Sequence, residues 1–422
     1  MTLNISTIDD FDIDGKAVLL RVDINSPIDR VTQKIVNQNR INKSIPTIRD
    51  LSDKGARLVI IAHQGDTLDY QNLISLTEHA KILSKKLKRP VQFVDDVAGP
   101  TARKAIKALK SGRILLLDNL RYLTEEVSTF ENDVKLSTME MTRTYLVQSL
   151  YPLFDYYVND AFAAAHRNAP SMVAFQELLP SAAGRLLTEE LTAISGVVKT
   201  PARPCVFLLG GLKISDAFGM MEQVLSSGVA DTILTTGITG HVMLMAQGIH
   251  LGKPSEKFIK DRSLDKFIAP AQGLLSRFPN QLYVPEDLAM EIKGERTEIL
   301  TADLPAKKIL IDIGEKTITK YETILNRAGT VFVNGPAGVC EMHTGAKGTR
   351  RLWERLVKSN AFSVIGGGDT VTCADRFIDT RQIGFVCTGG GALIRYMSGK
   401  KLPLITAMEK AYRRKQSNFQ QP

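Results

Sequence analysis

Four glycine turns in the second half of the chain each close an apolar, strand-like run. They are Phe207-Leu208-Leu209-Gly210-Gly211, Val331-Phe332-Val333-Asn334-Gly335-Pro336, Phe362 through Gly366-Gly367-Gly368-Asp369, and Phe385-Val386-Cys387-Thr388-Gly389-Gly390-Gly391. A buried parallel strand that ends in glycine lets backbone approach a ligand, and the helix after it offers unpaired N–H groups to phosphate. One such turn is usually only a turn. Four in one half predict a nucleotide site at the carboxyl edge of a parallel sheet.

The first half ends its strand-like runs differently, in charged or imidazole side chains: Arg21-Val22-Asp23-Ile24-Asn25, Ile60-Ile61-Ala62-His63, Leu117-Asp118-Asn119-Leu120-Arg121, and Val158-Asn159-Asp160 leading to His166-Arg167. With Arg40 after Ile35-Val36, three arginines (Arg40, Arg121, Arg167) and two histidines (His63, His166) are available to converge on a small anion. Guanidinium forks match phosphate and carboxylate through paired hydrogen bonds. One half thus reads as a nucleotide binder and the other as a binder of a compact anion.

At 422 residues the chain exceeds a single comfortable core and predicts two domains. No apolar run approaches the roughly 20 residues of a membrane helix, and Met1 to Asp14 is too polar and acidic for a secretory leader. The cysteines (Cys205, Cys340, Cys373, Cys387) lie far apart in or near apolar runs, which reads as small buried hydrophobes rather than metal ligands and fits a reducing cytoplasm. The net charge of +9 raises nucleic-acid binding, but the lysines are scattered and no basic stretch interleaves with aromatics. A basic surface that attracts phosphorylated metabolites fits better, with neither nucleic acid nor membrane as partner.

Strand-like and helix-like segments alternate throughout, the pattern of an α/β fold with mostly parallel sheets. Strands are expected at Arg57 to Ala62, Arg113 to Leu117 and Leu153 to Val158. Ser75-x-x-Glu78 predicts a capping box opening a helix that runs to Leu87, and Thr317 to Arg327 predicts an amphipathic helix ending near Gly329. Gly184 to Val198, stopped by Lys199-Thr200-Pro201-Ala202-Arg203-Pro204, reads as a connecting helix at the domain boundary. Residues 413 to 422 are polar and expected to fray.

The chain lacks both G-x-x-x-x-G-K-[ST] and a G-x-G-x-x-G after a strand, which argues against a P-loop nucleotidase and a dinucleotide oxidoreductase. Lys213 after Gly-Gly-Leu, Glu341 closing Asn334 to Cys340, and Asp369 after Gly-Gly-Gly supply a cation, a ribose acceptor and a metal-binding carboxylate. Together these blocks resemble the phosphoglycerate kinase family, in an archaeal-like form, from about residue 16 to 405. Its R-V-D-x-N is Arg21 to Asn25, its substrate arginine is Arg40 before Ile41, its S-H-x-G corresponds to Ala62 to Gly65, and its E-N-x-R to Asp118 to Arg121. V-N-D-A-F-x-x-A-H-R is Val158 to Arg167, G-G-A-K is Gly210 to Lys213, and N-G-P-x-G-V-x-E is Asn334 to Glu341. G-G-G-D-T is Gly366 to Thr370, and T-G-G-G-A is Thr388 to Ala392.

The resemblance implies two doubly wound α/β domains with mostly parallel sheets, joined by a helix and facing each other across a cleft. Residues 1–183, with the tail 405–422, would hold 3-phosphoglycerate; 184–199 would connect; 200–404 would hold the nucleotide. It implies reversible phosphoryl transfer between Mg-ATP and the acceptor's carboxylate, giving 1,3-bisphosphoglycerate and ADP, in a cytoplasmic, hinge-bending monomer. Arg40, Lys213, Gly367 and Gly390 would serve the transfer. Asp23, Asn25, Arg40, His63, Arg121 and Arg167 would bind the acceptor, with Asp66 beside them. Gly211, Lys213, Asn334, Glu341, Gly366, Gly367, Gly368, Asp369 and Thr370 would bind the nucleotide, and Asp369 its Mg2+.

Four residues depart from the family pattern: Asp66 and Thr67 where Arg or Lys and Pro are usual, Ala217 for a second lysine, and Ala337 for Met, a loss expected to loosen packing. Asp66 would oppose an acceptor phosphate by about 1 kcal/mol or more. This leaves open a nucleotide-binding regulatory relative with an altered or lost acceptor.

Overall fold

The structure, a computed structural model, describes residues 4–29, 31–66, 68 and 70–419, without the side chains of Tyr70, Asp369, Asn418 and Phe419. Thr67 thus lies outside the described residues. The chain divides into two compact units, 1–192 with 401–422 and 193–400, and the division falls inside the helix Arg185–Lys199.

The first unit is built on a six-stranded sheet of β1 (Ala17–Arg21), β2 (Arg57–Ile61), β3 (Val91–Val94), β4 (Ile114–Leu117), β5 (Tyr156–Asn159) and β6 (Ser181–Ala183). The order is β3-β4-β2-β1-β5-β6 and every pairing is parallel. Ala17-Val18-Leu19-Leu20 is apolar on both faces because helices cover both sides of a parallel sheet, and the whole strand is buried. Strand order reverses at β1, the place where open α/β sheets bind ligands beyond their carboxyl ends.

The second unit carries β7 (Cys205–Leu209), β8 (Thr232–Thr235), β9 (Leu282–Tyr283), β10 (Asp287–Ile292), β11 (Glu295–Leu300), β12 (Leu310–Ile313), β13 (Thr330–Asn334), β14 (Phe362–Gly366) and β15 (Phe385–Cys387). Six form a parallel sheet in the order β15-β14-β13-β7-β8-β9, reversing at β7. The antiparallel sheet β11-β10-β12 was not legible as apolar runs, since Glu295–Leu300 is largely polar and exposed. Its hairpin turns at Lys293 (φ 55°) and Gly294 (φ 82°), both left-handed.

Several local expectations are corrected. The helix Thr77–Leu87 starts without a side-chain cap: Glu78 instead accepts the Ile35 N–H at 3.4 Å, and Asp118 accepts the Leu76 N–H at 2.8 Å. The strand expected at 153–158 begins only at Tyr156, because Pro152 lies in a 3-10 turn, Tyr151–Leu153. The polar tail is helical through Pro403–Phe419, with Leu402, Leu404, Ala407 and Met408 buried and Arg414 paired with Glu177 at 2.7 Å. Cys340 and Cys373 form a disulfide with Cα atoms 6.5 Å apart, since the fold sets the end of the β13 loop against the helix Gly368–Ala374; Cys205 and Cys387 take part in no disulfide and are buried as expected.

Candidate active site

In the first unit the charged groups that follow β1, β2, β4 and β5 gather around His63. Asp23, just past β1, is buried, and Arg40 of the helix Asn39–Asp53 donates Nη1 to both its oxygens at 2.9 and 3.1 Å. Asp23 also accepts the Asn25 N–H at 3.0 Å, and Asn25 Oδ1 accepts the Gly65 N–H at 3.2 Å. These contacts fix the loop after β1 against the loop after β2.

His63 Nδ1 lies 2.8 Å from Arg21 Nη2. Burial, then the charges of Arg21, Arg121, Arg167 and Arg40, hold His63 well below the usual imidazole range. Arginine can only donate, so Nδ1 accepts and the neutral ring carries its proton on Nε2. The same charges that keep the ring neutral therefore make it a hydrogen-bond donor. Arg21, a residue that sequence reasoning did not place in the site, donates Nε to Ser171 Oγ at 3.3 Å and Nη1 to the Val22 carbonyl. Ser171 donates in turn to the buried Glu126 at 2.6 Å, setting a carboxylate near Arg21.

Arg121 sits on the 3-10 turn Leu120–Tyr122, whose N–H at Arg121 is capped by Asn119 Oδ1 at 3.0 Å. Its side chain is only 6% exposed and is paired with Asp66, which also accepts from Ser128. Burial and the Arg167 charge lower the Arg121 guanidinium's affinity for its proton. Arg167, immediately after His166, donates Nε to Glu131 at 2.6 Å, while its buried Nη2 has no partner among the described residues. Ser128 and Glu131, both on the short helix Ser128–Val134, were also missed, since no motif marks a carboxylate that serves an arginine.

In the second unit a cavity of about 740 Å³ lies beyond the carboxyl ends of β7, β13 and β14. Gly211, Lys213, Asn334, Glu341, Gly367, Gly368, Thr370 and Gly390 all line it. Gly335 shows why this wall is glycine: at φ 86° a Cβ would stand 2.3 Å from the Gly210 carbonyl oxygen. Gly367, at φ 96°, precedes the helix Gly368–Ala374, and Gly390 opens the helix Gly390–Met397. Thr370 Oγ1 accepts the Gly335 N–H at 2.9 Å and so binds two of the turns together. Asn334 Nδ2 is buried without a partner among the described residues, a donor in the cavity wall.

Gly366 does not line the cavity. Its missing Cβ makes room for Leu393, whose Cδ2 would lie 1.9 Å away, so this glycine serves helix packing. The Asp369 side chain lies outside the described residues, and among the described residues no group of His, Cys, Asp or Glu is arranged to hold a metal. Sequence reasoning also missed the apolar wall of Ile238, Phe258, Ile309 and Ile311, which lies on none of the glycine motifs singled out above. His241 lines the same cavity, and burial alone lowers its pKa to about 4. Asp216, near Lys213, is pushed up by burial and held down by that lysine. Of the departures, Ala217 is buried, and Ala337 is buried with its N–H bonded to Thr349 Oγ1 at 2.9 Å. Among the described residues no helix is long and apolar enough to cross a membrane.

A family model described as phosphoglycerate kinase matches residues 8–400. The phosphoglycerate kinase of Methanobacterium bryantii is 42% identical over 405 residues, covering 96% of this chain and 97% of the relative. That of Methanococcus maripaludis is also 42% identical, over 408 residues, covering 96% and 98%. The crystal structure of phosphoglycerate kinase from Pyrococcus horikoshii OT3 superposes with a TM-score of 0.88 at 36% identity, covering 97% of this chain and 99% of that one.

Proposed function

The chain belongs to the phosphoglycerate kinase family, and on that premise we propose that its own residues carry out ATP-dependent phosphorylation of 3-phosphoglycerate as follows. The full-length likeness to named kinases favours this reaction over a regulatory relative that has lost its acceptor. The observation that carries the residue assignment is the division of labour between a pocket of arginines in one unit and a glycine-walled cavity in the other.

The acceptor's carboxylate is ionised at neutral pH, so no general base is needed. Its phosphate is taken by Arg121, Arg167 and the Nε2–H of His63, and its hydroxyl by Asp23 and Asn25. The nucleotide occupies the cavity with its ribose on Glu341 and its phosphates toward Lys213, Asn334, Thr370 and the N–H groups of Gly211, Gly367, Gly368 and Gly390. The orphaned Asn334 amide and the glycine wall fit an oxygen-rich, bulky ligand of this kind. Asp369 would hold the Mg2+ that the nucleotide carries, and that ion would supply positive charge to offset the phosphates. Arg40 and Lys213 face the phosphoryl group as its charge spreads, which is where fixed cations lower the barrier.

With the two substrates on separate units, turnover includes hinge bending about the helix Arg185–Lys199 and the turn at 388–391. The enzyme is a cytoplasmic monomer. A coupled assay with 3-phosphoglycerate, Mg-ATP and a downstream dehydrogenase tests the reaction; a folded, ATP-binding sample without turnover would overturn it. Small-angle scattering should give a smaller radius of gyration with both substrates than with either, and an unchanged radius would remove the hinge step.

A further inference from the structure

We propose that Asp66 is a built-in counter-ion of the acceptor site, whose carboxylate holds the Arg121 fork until the acceptor's phosphate displaces it. This rests on the reading that Arg121 takes that phosphate. The argument comes from how the two neighbouring arginines are held. Glu131 meets Arg167 at Nε, at the back of the guanidinium, and its second oxygen is committed to the Asn168 N–H at 2.6 Å. That arrangement steadies Arg167 and leaves its buried Nη2 without a partner among the described residues, ready for an anion.

Asp66 meets Arg121 at Nη1, on the terminal edge that an oxyanion would use, and the same carboxylate oxygen accepts from Ser128 Oγ. A nearly buried guanidinium is costly without an anion beside it. With the site empty Asp66 supplies that anion; it is itself 25% exposed and able to leave. Arg121 and Arg167 lie close enough to oppose each other's charge, so one anion facing Nη2 of Arg167 also faces Arg121. Acceptor binding then exchanges one carboxylate for one phosphate, and the apparent affinity is set by how firmly Asp66 and Ser128 hold.

The test uses the full-length protein and two readouts: calorimetric affinity for inorganic phosphate, and the KM for 3-phosphoglycerate at saturating Mg-ATP. Asp66→Asn keeps the shape and removes the charge, and should tighten phosphate binding and lower KM by roughly three- to tenfold. The change in KM should exceed any change in kcat. Ser128→Ala should act in the same direction by about twofold, and serves alone if Asp66→Asn fails to fold. Glu131→Gln should do the opposite and raise KM. Unchanged or weaker phosphate binding in both Asp66→Asn and Ser128→Ala overturns the proposal, because Asp66 would then be positioning Arg121 or standing clear of the anion. If the parent enzyme turns over no 3-phosphoglycerate, the reaction assignment fails, while phosphate calorimetry still reports on Asp66.

Discussion

The two proposed binding regions are built for a polyanion by opposite means. In the first unit the work falls to side chains, and each cation already has a partner: Arg40 has Asp23, Arg121 has Asp66, Arg167 has Glu131. In the second unit much of the wall is glycine backbone, because a Cβ at Gly335 or Gly210 would strike a carbonyl oxygen. Charge that is balanced in the empty site is costly to leave unbalanced, whereas a backbone wall is set by the fold. The first region should therefore respond to substitution through affinity and rate, and the second through folding.

The largest test is on rate. Arg40→Ala and Lys213→Ala should each lower kcat by about 10²–10³-fold, in the range seen when a fixed donor is removed from a developing charge. Loss of affinity with an intact kcat would show that either residue only binds. Next comes the backbone wall: Gly335→Ala should destabilise the second unit by about 2–4 kcal/mol, from the left-handed φ and the contact with Gly210. Trp353, the single tryptophan, is buried in that unit and reports its urea unfolding selectively. A stable Gly335→Ala would erase the contrast drawn above.

Arg121→Ala and Arg167→Ala should raise KM for 3-phosphoglycerate by about 10–100-fold, the worth of a charged hydrogen bond, with ATP affinity unmoved in calorimetry. The smallest effect concerns the histidines. Burial sets the folded pKa of His241 at about 4, below the imidazole's unfolded value of about 6.5. Between these values the unfolded chain binds more protons, so stability is lost as pH falls from 6.5 toward 4. Relative to His241→Leu, the parent should lose about 1–2 kcal/mol in the second unit by pH 5, again followed by Trp353. A parent and variant with parallel pH profiles would mean that the ring takes up its proton without strain.

The legible parts of this fold are those where one residue type does one job. Runs such as Leu58 to Ile61 declare a buried strand, and Gly367 and Gly368 mark the turn whose backbone must be bare. Arg121 and Arg167 were visible as strand-end cations. Their partners were not, because Ser128 and Glu131 acquire their roles only when a short helix is laid beside the segments that follow β4 and β5. Gly366 also has a role that no motif announces: its missing Cβ yields space to Leu393. The pairing of Cys340 with Cys373 and the polar hairpin at Glu295–Leu300 depend likewise on contacts that no local pattern encodes.

The helix Pro403–Phe419 belongs to the first unit, where Arg414 donates to the Gln176 carbonyl at 2.7 Å and Lys415 lies 4.0 Å from the Phe11 ring centre. The second unit, by contrast, is one uninterrupted stretch, 193–400. A ribosome reading from the N-terminus therefore releases every residue of the second unit before it supplies the helix Pro403–Phe419 of the first. The half begun first is finished last, and during synthesis the surface around Gln176 and Phe11 waits uncovered while the later half is already complete enough to close.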